Sequence, residues 1–156
     1  MKGLEAQALA ATGNTIDCFV ALKRAEQAIE RSRPDEDPAW MYSFDRGRFQ
    51  ILAGSCYCRL GKTKAAERTL HEALHLLGPS ASARRRAEIL LELAYVEVQK
   101  HDLGRACDLA SRSLTGVLEA GSAAGLQEVR EFRAHLGPQG GSAAVASLDE
   151  RLSTVL

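Results

Sequence analysis

A pattern of small residues that returns after forty positions constrains this chain more than any other feature. Gly54, then Tyr57, then Leu60-Gly61 lead into a segment carrying Ala66, Leu70 and Ala73, with Pro79 beyond it. Forty positions on, Ala94 stands in the place of Gly54, and Ala106 and Ala110 stand in those of Ala66 and Leu70. Ala21, Ala25 and Ala28 repeat the second half of the pattern more weakly. Gly and Ala let two helix backbones approach, and Tyr fills the space beside them. Units repeating at this distance cannot bury their faces alone and need stacked neighbours.

Punctuation supports a helical reading. Gly13-Asn14, Arg33-Pro34-Asp35-Glu36-Asp37-Pro38, Leu60-Gly61, Gly78-Pro79-Ser80, Lys100-His101-Asp102, Gly121-Ser122 and Gly137–Gly141 are turn and stop signals. Between them, apolar residues recur at three- and four-residue spacing, as in Leu90-Leu93-Ala94-Val98 and Val145-Leu148-Leu152-Val155. Asp37 before Pro38, and Ser142 before Ala143, suit helix starts. Eight helices are expected, at about 3–12, 15–32, 38–60, 63–77, 83–100, 103–120, 123–136 and 143–155. Short connections pair them as antiparallel hairpins at about 3–32, 38–77, 83–120 and 123–155.

Composition agrees. The 156 residues hold 25 Ala and 21 Leu against 17 β-branched residues, which favours helix over strand. Twenty basic and twenty acidic side chains cancel, so a stand-alone nucleic-acid binder is not expected. No apolar run reaches the ~18 residues of a membrane span, and Met1–Ala6 lacks a signal-peptide core, so a cytoplasmic location is expected. The four cysteines then read as reduced thiols.

The repeat resembles the tetratricopeptide repeat (TPR). The match is good over 47–79, fair over 87–114 and weak over 3–32, while 123–156 has the helices without the motif. The stretch from Asp37-Pro38-Ala39-Trp40 through Leu52-Ala53-Gly54-Ser55-Cys56-Tyr57 to Leu60-Gly61 looks like the TPR regulatory region of actinobacterial helix-turn-helix transcriptional regulators. The resemblance implies an all-α fold. Its hairpins stack as a right-handed superhelix, one TPR-like domain over 1–156 with 143–155 as its cap. It also implies an effector-sensing or dimerisation role. No DNA-binding segment is read ahead of the array, so the expected alternatives are the regulatory part of a longer regulator and a stand-alone scaffold or accessory protein. In this family the first helices of the hairpins line a concave groove. That mapping places Arg48, Ile51, Ser55, Cys58 and Arg59, then Leu91, Glu92, Tyr95 and Val98, toward it. Ile51, Leu91, Ser55 and Tyr95 replace the Lys and Asn with which some relatives grip peptide carboxylates. A more apolar groove suits a hydrophobic peptide, a helix or a small effector, and a homodimer is plausible.

Other motifs read blandly. His71-Glu72-Ala73-Leu74-His75 matches the zinc-hydrolase pattern, and a zinc hydrolase built on it is a remote alternative. Ala73 and Leu74 lie on the packing stripe, which sends both histidines outward, and Ala81 stands where a third ligand would be. No catalytic residue, metal or cofactor is therefore assigned. Gly61-Lys62-Thr63 ends like a phosphate loop, but Cys56 stands at its first Gly and no strand precedes it. Cys56-Tyr57-Cys58 is not zinc spacing, and packing thiols are expected there and at Cys18 and Cys107. Arg84-Arg85-Arg86 reads as a solvated helix entrance. Trp40, Tyr42 and Phe44, three of eight aromatics, read as core or as a partner surface. Glu88, Glu92 and Glu97 read as helix surface.

Overall fold

The computed structural model describes residues 12–31, 46–78, 82–138 and 142–155. The expected helix at 3–12, the Asp37-Pro38 start and the Trp40 segment lie outside these residues. Among the described residues there are seven helices and no strand: α1 Thr15–Glu30, α2 Arg46–Arg59, α3 Thr63–Leu76, α4 Ala83–Gln99, α5 Leu103–Glu119, α6 Ala123–His135 and α7 Ala143–Ser153. None of them is long and apolar enough to cross a membrane.

Local chemistry sets where these helices start and stop. Five side chains at N-cap positions accept a backbone N–H three residues on: Asn14 from Asp17, Ser82 from Arg85, Asp102 from Arg105, Ser122 from Gly125 and Ser142 from Val145. Each satisfies one of the donors a helix start leaves orphaned. Three of the stops share one device. At the end of α2, the Gly61 and Lys62 N–H groups donate to the Cys58 and Tyr57 carbonyls, at 3.0 and 2.8 Å. After α4, His101 and Asp102 donate to Val98 and Glu97, and after α5, Gly121 and Ser122 donate to Leu118 and Val117. All three are Schellman turns, with a left-handed residue at the centre: Gly61 at φ 69°, His101 at φ 62° and Gly121 at φ 59°.

The chain gathers into two compact units, 1–76 and 77–156. In the first, α1 presents Cys18, Ala21, Leu22 and Ala25 to Phe49, Ala53 and Cys56 of α2, with Ile29, Tyr57 and Leu60 packed alongside. α2 then passes α3 so closely that a Cβ on Gly54 would stand 2.5 Å from Leu70 Cγ. Leu70, Ala66 and Ala73 are buried on α3, so the small residue at 54 and the large one at 70 fill one contact between them.

In the second unit α4 and α5 form the tightest hairpin. Ala94, Ala106 and Ala110 are fully buried in it, and the Ser113 hydroxyl donates to the Ala87 carbonyl at 2.7 Å. α6 packs beside both helices through Val129 and Phe132, and α7 packs on α5 through Val145 and Leu148. Charge pins this last helix. Arg133 meets Asp149 at 2.5 and 2.8 Å, and Arg151 donates to the Ser111 carbonyl and the Thr115 hydroxyl at 2.7 and 2.8 Å.

Candidate binding surfaces

The residues the repeat mapping assigns to a groove fall on α2 and α4, one set in each unit. On α2, Ile51, Ser55 and Cys58 are buried, Arg48 is half-buried and Arg59 is exposed. Ser55 is 1% exposed and its Oγ has no hydrogen-bond partner. On α4, Leu91 is buried, while Glu92, Tyr95 and Val98 are half-buried. Arg48, Arg59, Glu92 and Val98 therefore offer more surface to a ligand than Ile51, Ser55 or Leu91. Tyr95 has internal company: its ring meets Phe132 edge-on at 4.9 Å and His135 at 5.4 Å, both from α6. Contacts of this kind add about 0.5–1.5 kcal/mol beyond burial, so Tyr95 has a packing role in the second unit.

Glu97 corrects the sequence reading. Expected on the helix surface, it is 2% exposed. Its Oε1 takes an ion pair from Lys100 at 3.1 Å and another from Arg105 at 3.3 Å. Lys100 caps the C-terminal end of α4 and Arg105 lies in the first turn of α5, so the carboxylate clasps the hairpin across its turn. Periodicity alone could not show this, because both cations belong to the turn and to the facing helix.

The arginine run at the start of α4 is also engaged. Arg84 hydrogen-bonds the Ser122 hydroxyl, and Arg86 donates to the Gly78 carbonyl at 2.9 Å. Gly61-Lys62-Thr63 is the Schellman turn between two helices, with no strand before it. All four cysteines are buried, and none forms a disulfide. Burial pushes the Cys18 and Cys107 thiols above their ordinary value, and a hydrogen bond with Cys56 offsets this in part at Cys18. A raised thiol is a poor nucleophile and a poor metal ligand.

His71 and His75 are exposed, as the packing stripe predicted, and Ala73 faces inward at 1% exposure. Among the described residues no three of His, Cys, Asp and Glu come together as a metal-binding group. The two histidines instead line an open groove of about 670 Å³ with Arg46, Gln50, Arg68, Glu72 and Leu76. Sequence reasoning missed this groove. Its only linear trace is the run Arg68, His71, Glu72, His75, Leu76, which recurs at helical spacing on the outward face of α3. A smaller groove of about 410 Å³ lies on the second unit between α4 and α5, lined by Arg86, Leu90, Arg112 and Glu119 among others.

Comparison with known proteins gives no assignment: no family model, curated protein or solved structure matches the chain.

Proposed function

We propose that this chain is a non-catalytic interaction module built on a TPR-like array, acting as the effector-sensing or dimerisation domain of a transcriptional regulator. The observation that carries the reading is the paired hairpin geometry. Gly54 and Ala94 sit forty positions apart on α2 and α4, each followed seven residues later by the left-handed residue of a Schellman turn, Gly61 or His101. Ala66, Leu70 and Ala73, then Ala106 and Ala110, are buried on the helices that follow. Conserving a backbone device while varying the side chains is the habit of stacked helical repeats. In this reading the hairpins continue as one superhelix whose partner is a protein, a peptide or a small effector. Binding shifts curvature or dimer packing, which requires different affinity for the two states.

The upstream reading frame tests the regulator assignment. An in-frame helix-turn-helix segment ahead of Met1 supports it, and a stop codon with no such segment turns the assignment to the scaffold alternative. The groove assignment has its own test. Arg59→Ala and Glu92→Ala are expected to weaken capture of the partner with unchanged helical content by circular dichroism. Unchanged capture in both moves the binding surface elsewhere.

A further inference from the structure

The groove around His71 and His75 has a charge layout with a chemical meaning. On α3 its lining positions, 68, 71, 72, 75 and 76, share one face. Across the eight steps from 68 to 76 they make a strip about 12 Å long, at ~1.5 Å rise per residue. Arg46 and Gln50, one turn apart at the start of α2, form the other wall. Because α2 and α3 run antiparallel through the tight turn at Gly61, Arg46 lies toward the His75 and Leu76 end. Arg68 then stands at the opposite end. A guanidinium thus marks each end, while Gln50, His71 and Glu72 offer donors and an acceptor between them. Two arginines oppose one glutamate, so the lining is cationic even with both imidazoles neutral. Glu26 and Glu30 line a neighbouring cavity of about 120 Å³ that shares Arg46 and Gln50, so two carboxylates lie near Arg46, while Arg68 has Glu72 one turn along α3.

We infer that this groove binds a short acidic peptide segment in the polyproline II conformation, whose two carboxylates stand three residues apart and so on one face. The inference rests on the interaction-module reading and deepens it, but moves the surface from the first helices of the hairpins to the outer face of α3. A strip of this length takes about four such residues at ~3.1 Å each. Carboxylates at the first and fourth positions are then about 9 Å apart. Arg68 and His75 are separated by seven residues of helix, about 10.5 Å. The polar middle suits peptide N–H and C=O groups and leaves a bare acyl chain with unpaired partners. Leu76, 52% exposed at one end, seats an apolar side chain of the same segment. Aliphatic arginine stems supply the rest of the apolar floor.

The test uses the full 156-residue chain and a fluorescein-labelled, end-blocked peptide Glu-Leu-Leu-Glu, read by anisotropy at low salt. Binding is expected about tenfold tighter than for Gln-Leu-Leu-Gln, since charge-assisted hydrogen bonds are roughly twice as strong as neutral ones. Arg68→Gln is expected to weaken binding about fivefold to tenfold and Arg46→Gln less, with unchanged melting curves, and added salt weakens the wild type. Equal affinity for the two peptides overturns the proposal, as does an unchanged Arg68→Gln. So does a concentration-dependent dimer that Arg68→Gln abolishes without any peptide binding, which assigns the groove to a second copy. Partner capture that fails in Arg59→Ala and Glu92→Ala but survives Arg68→Gln overturns this proposal and leaves the interaction-module reading intact.

Discussion

The hairpins α2–α3 and α4–α5 have the same turn and fill it differently. Lys62 N–H reaches the Tyr57 carbonyl in one, and Asp102 N–H reaches the Glu97 carbonyl in the other, forty positions on. In the first hairpin the side chain at that acceptor is aromatic, and Tyr57 leans on Phe19 of α1 with ring centroids 5.7 Å apart. In the second it is a buried carboxylate held by Lys100 and Arg105. The crossing point differs too: Gly54 faces Leu70, while the matched positions hold Ala94 and Ala110, both fully buried. The backbone device is constant, and the volume within it is divided between different residues.

The largest predicted effects come from breaking that division. Leu70→Ala is expected to cost about 2–5 kcal/mol, from lost burial and a residual cavity. Gly54→Ala is expected to cost about 1–2 kcal/mol net: with a Cβ 2.5 Å from Leu70 Cγ the overpacking falls at about 2–3 kcal/mol, the upper part of the usual range, and the gain in helix propensity is about 1 kcal/mol. The pair Gly54→Ala with Leu70→Ala reproduces the Ala94 and Ala110 arrangement, so its cost falls below the sum of the two. Urea denaturation measures all three. If Gly54→Ala proves as stable as the wild type, the close contact at this crossing is not what sets the hairpin.

Replacing the buried carboxylate comes next. Glu97→Gln is expected to cost about 1–2 kcal/mol. The loss is held down because Lys100 and Arg105, 35% and 56% exposed, are left in water rather than stranded inside. Tyr57→Phe in the matched place keeps the ring contact and is expected to change stability by less. Equal costs for the two would erase the contrast between an ionic and an aromatic filling.

Which of these features the sequence carried follows from the range of the forces. Helix ends were legible because a cap or a Schellman turn is made by residues within five positions of one another; Ser142 and Gly61 declared themselves. The close crossing at Gly54 was legible because the small residue recurs. Glu97 was not legible, since its burial depends on Arg105 across the turn. The ring contacts of Tyr95 were not legible either, because nothing in α4 announces that Phe132 and His135 of α6 meet it. The groove along α3 escaped for a related reason. Arg46 and Arg68 are twenty-two positions apart, and each by itself reads as an ordinary exposed cation.

The turn centre separates the hairpins by about 1 kcal/mol. His101 holds φ 62° in the region where an L side chain costs roughly 1–2 kcal/mol, while Gly61 holds φ 69° without that cost. Gly61→Ala is expected to destabilise by about 1 kcal/mol. His101→Gly is expected to stabilise by less than that, because Gly also loosens the unfolded chain. Opposite signs at matched positions sharpen the comparison, and a destabilising His101→Gly would mean that the imidazole contributes a contact that outweighs the strain.

The smallest effect contrasts a buried carboxylate with an open one. Asp149 is 46% exposed in its pair with Arg133. The Arg133 hydrogen bonds hold its carboxyl below the ordinary value near 3.8. A depressed folded value means the stabilisation is fully present above the unfolded value and is lost as pH falls through the folded one. Solvent screening limits it to a few tenths of a kcal/mol. Asp149→Asn should therefore lower stability slightly at neutral pH. That difference should shrink toward zero as pH falls below the ordinary carboxylate range, in urea titrations at low salt. A difference that persists undiminished in acid would show that the side chain holds α7 by packing rather than by charge, and would place it closer in kind to Tyr57 than to Glu97.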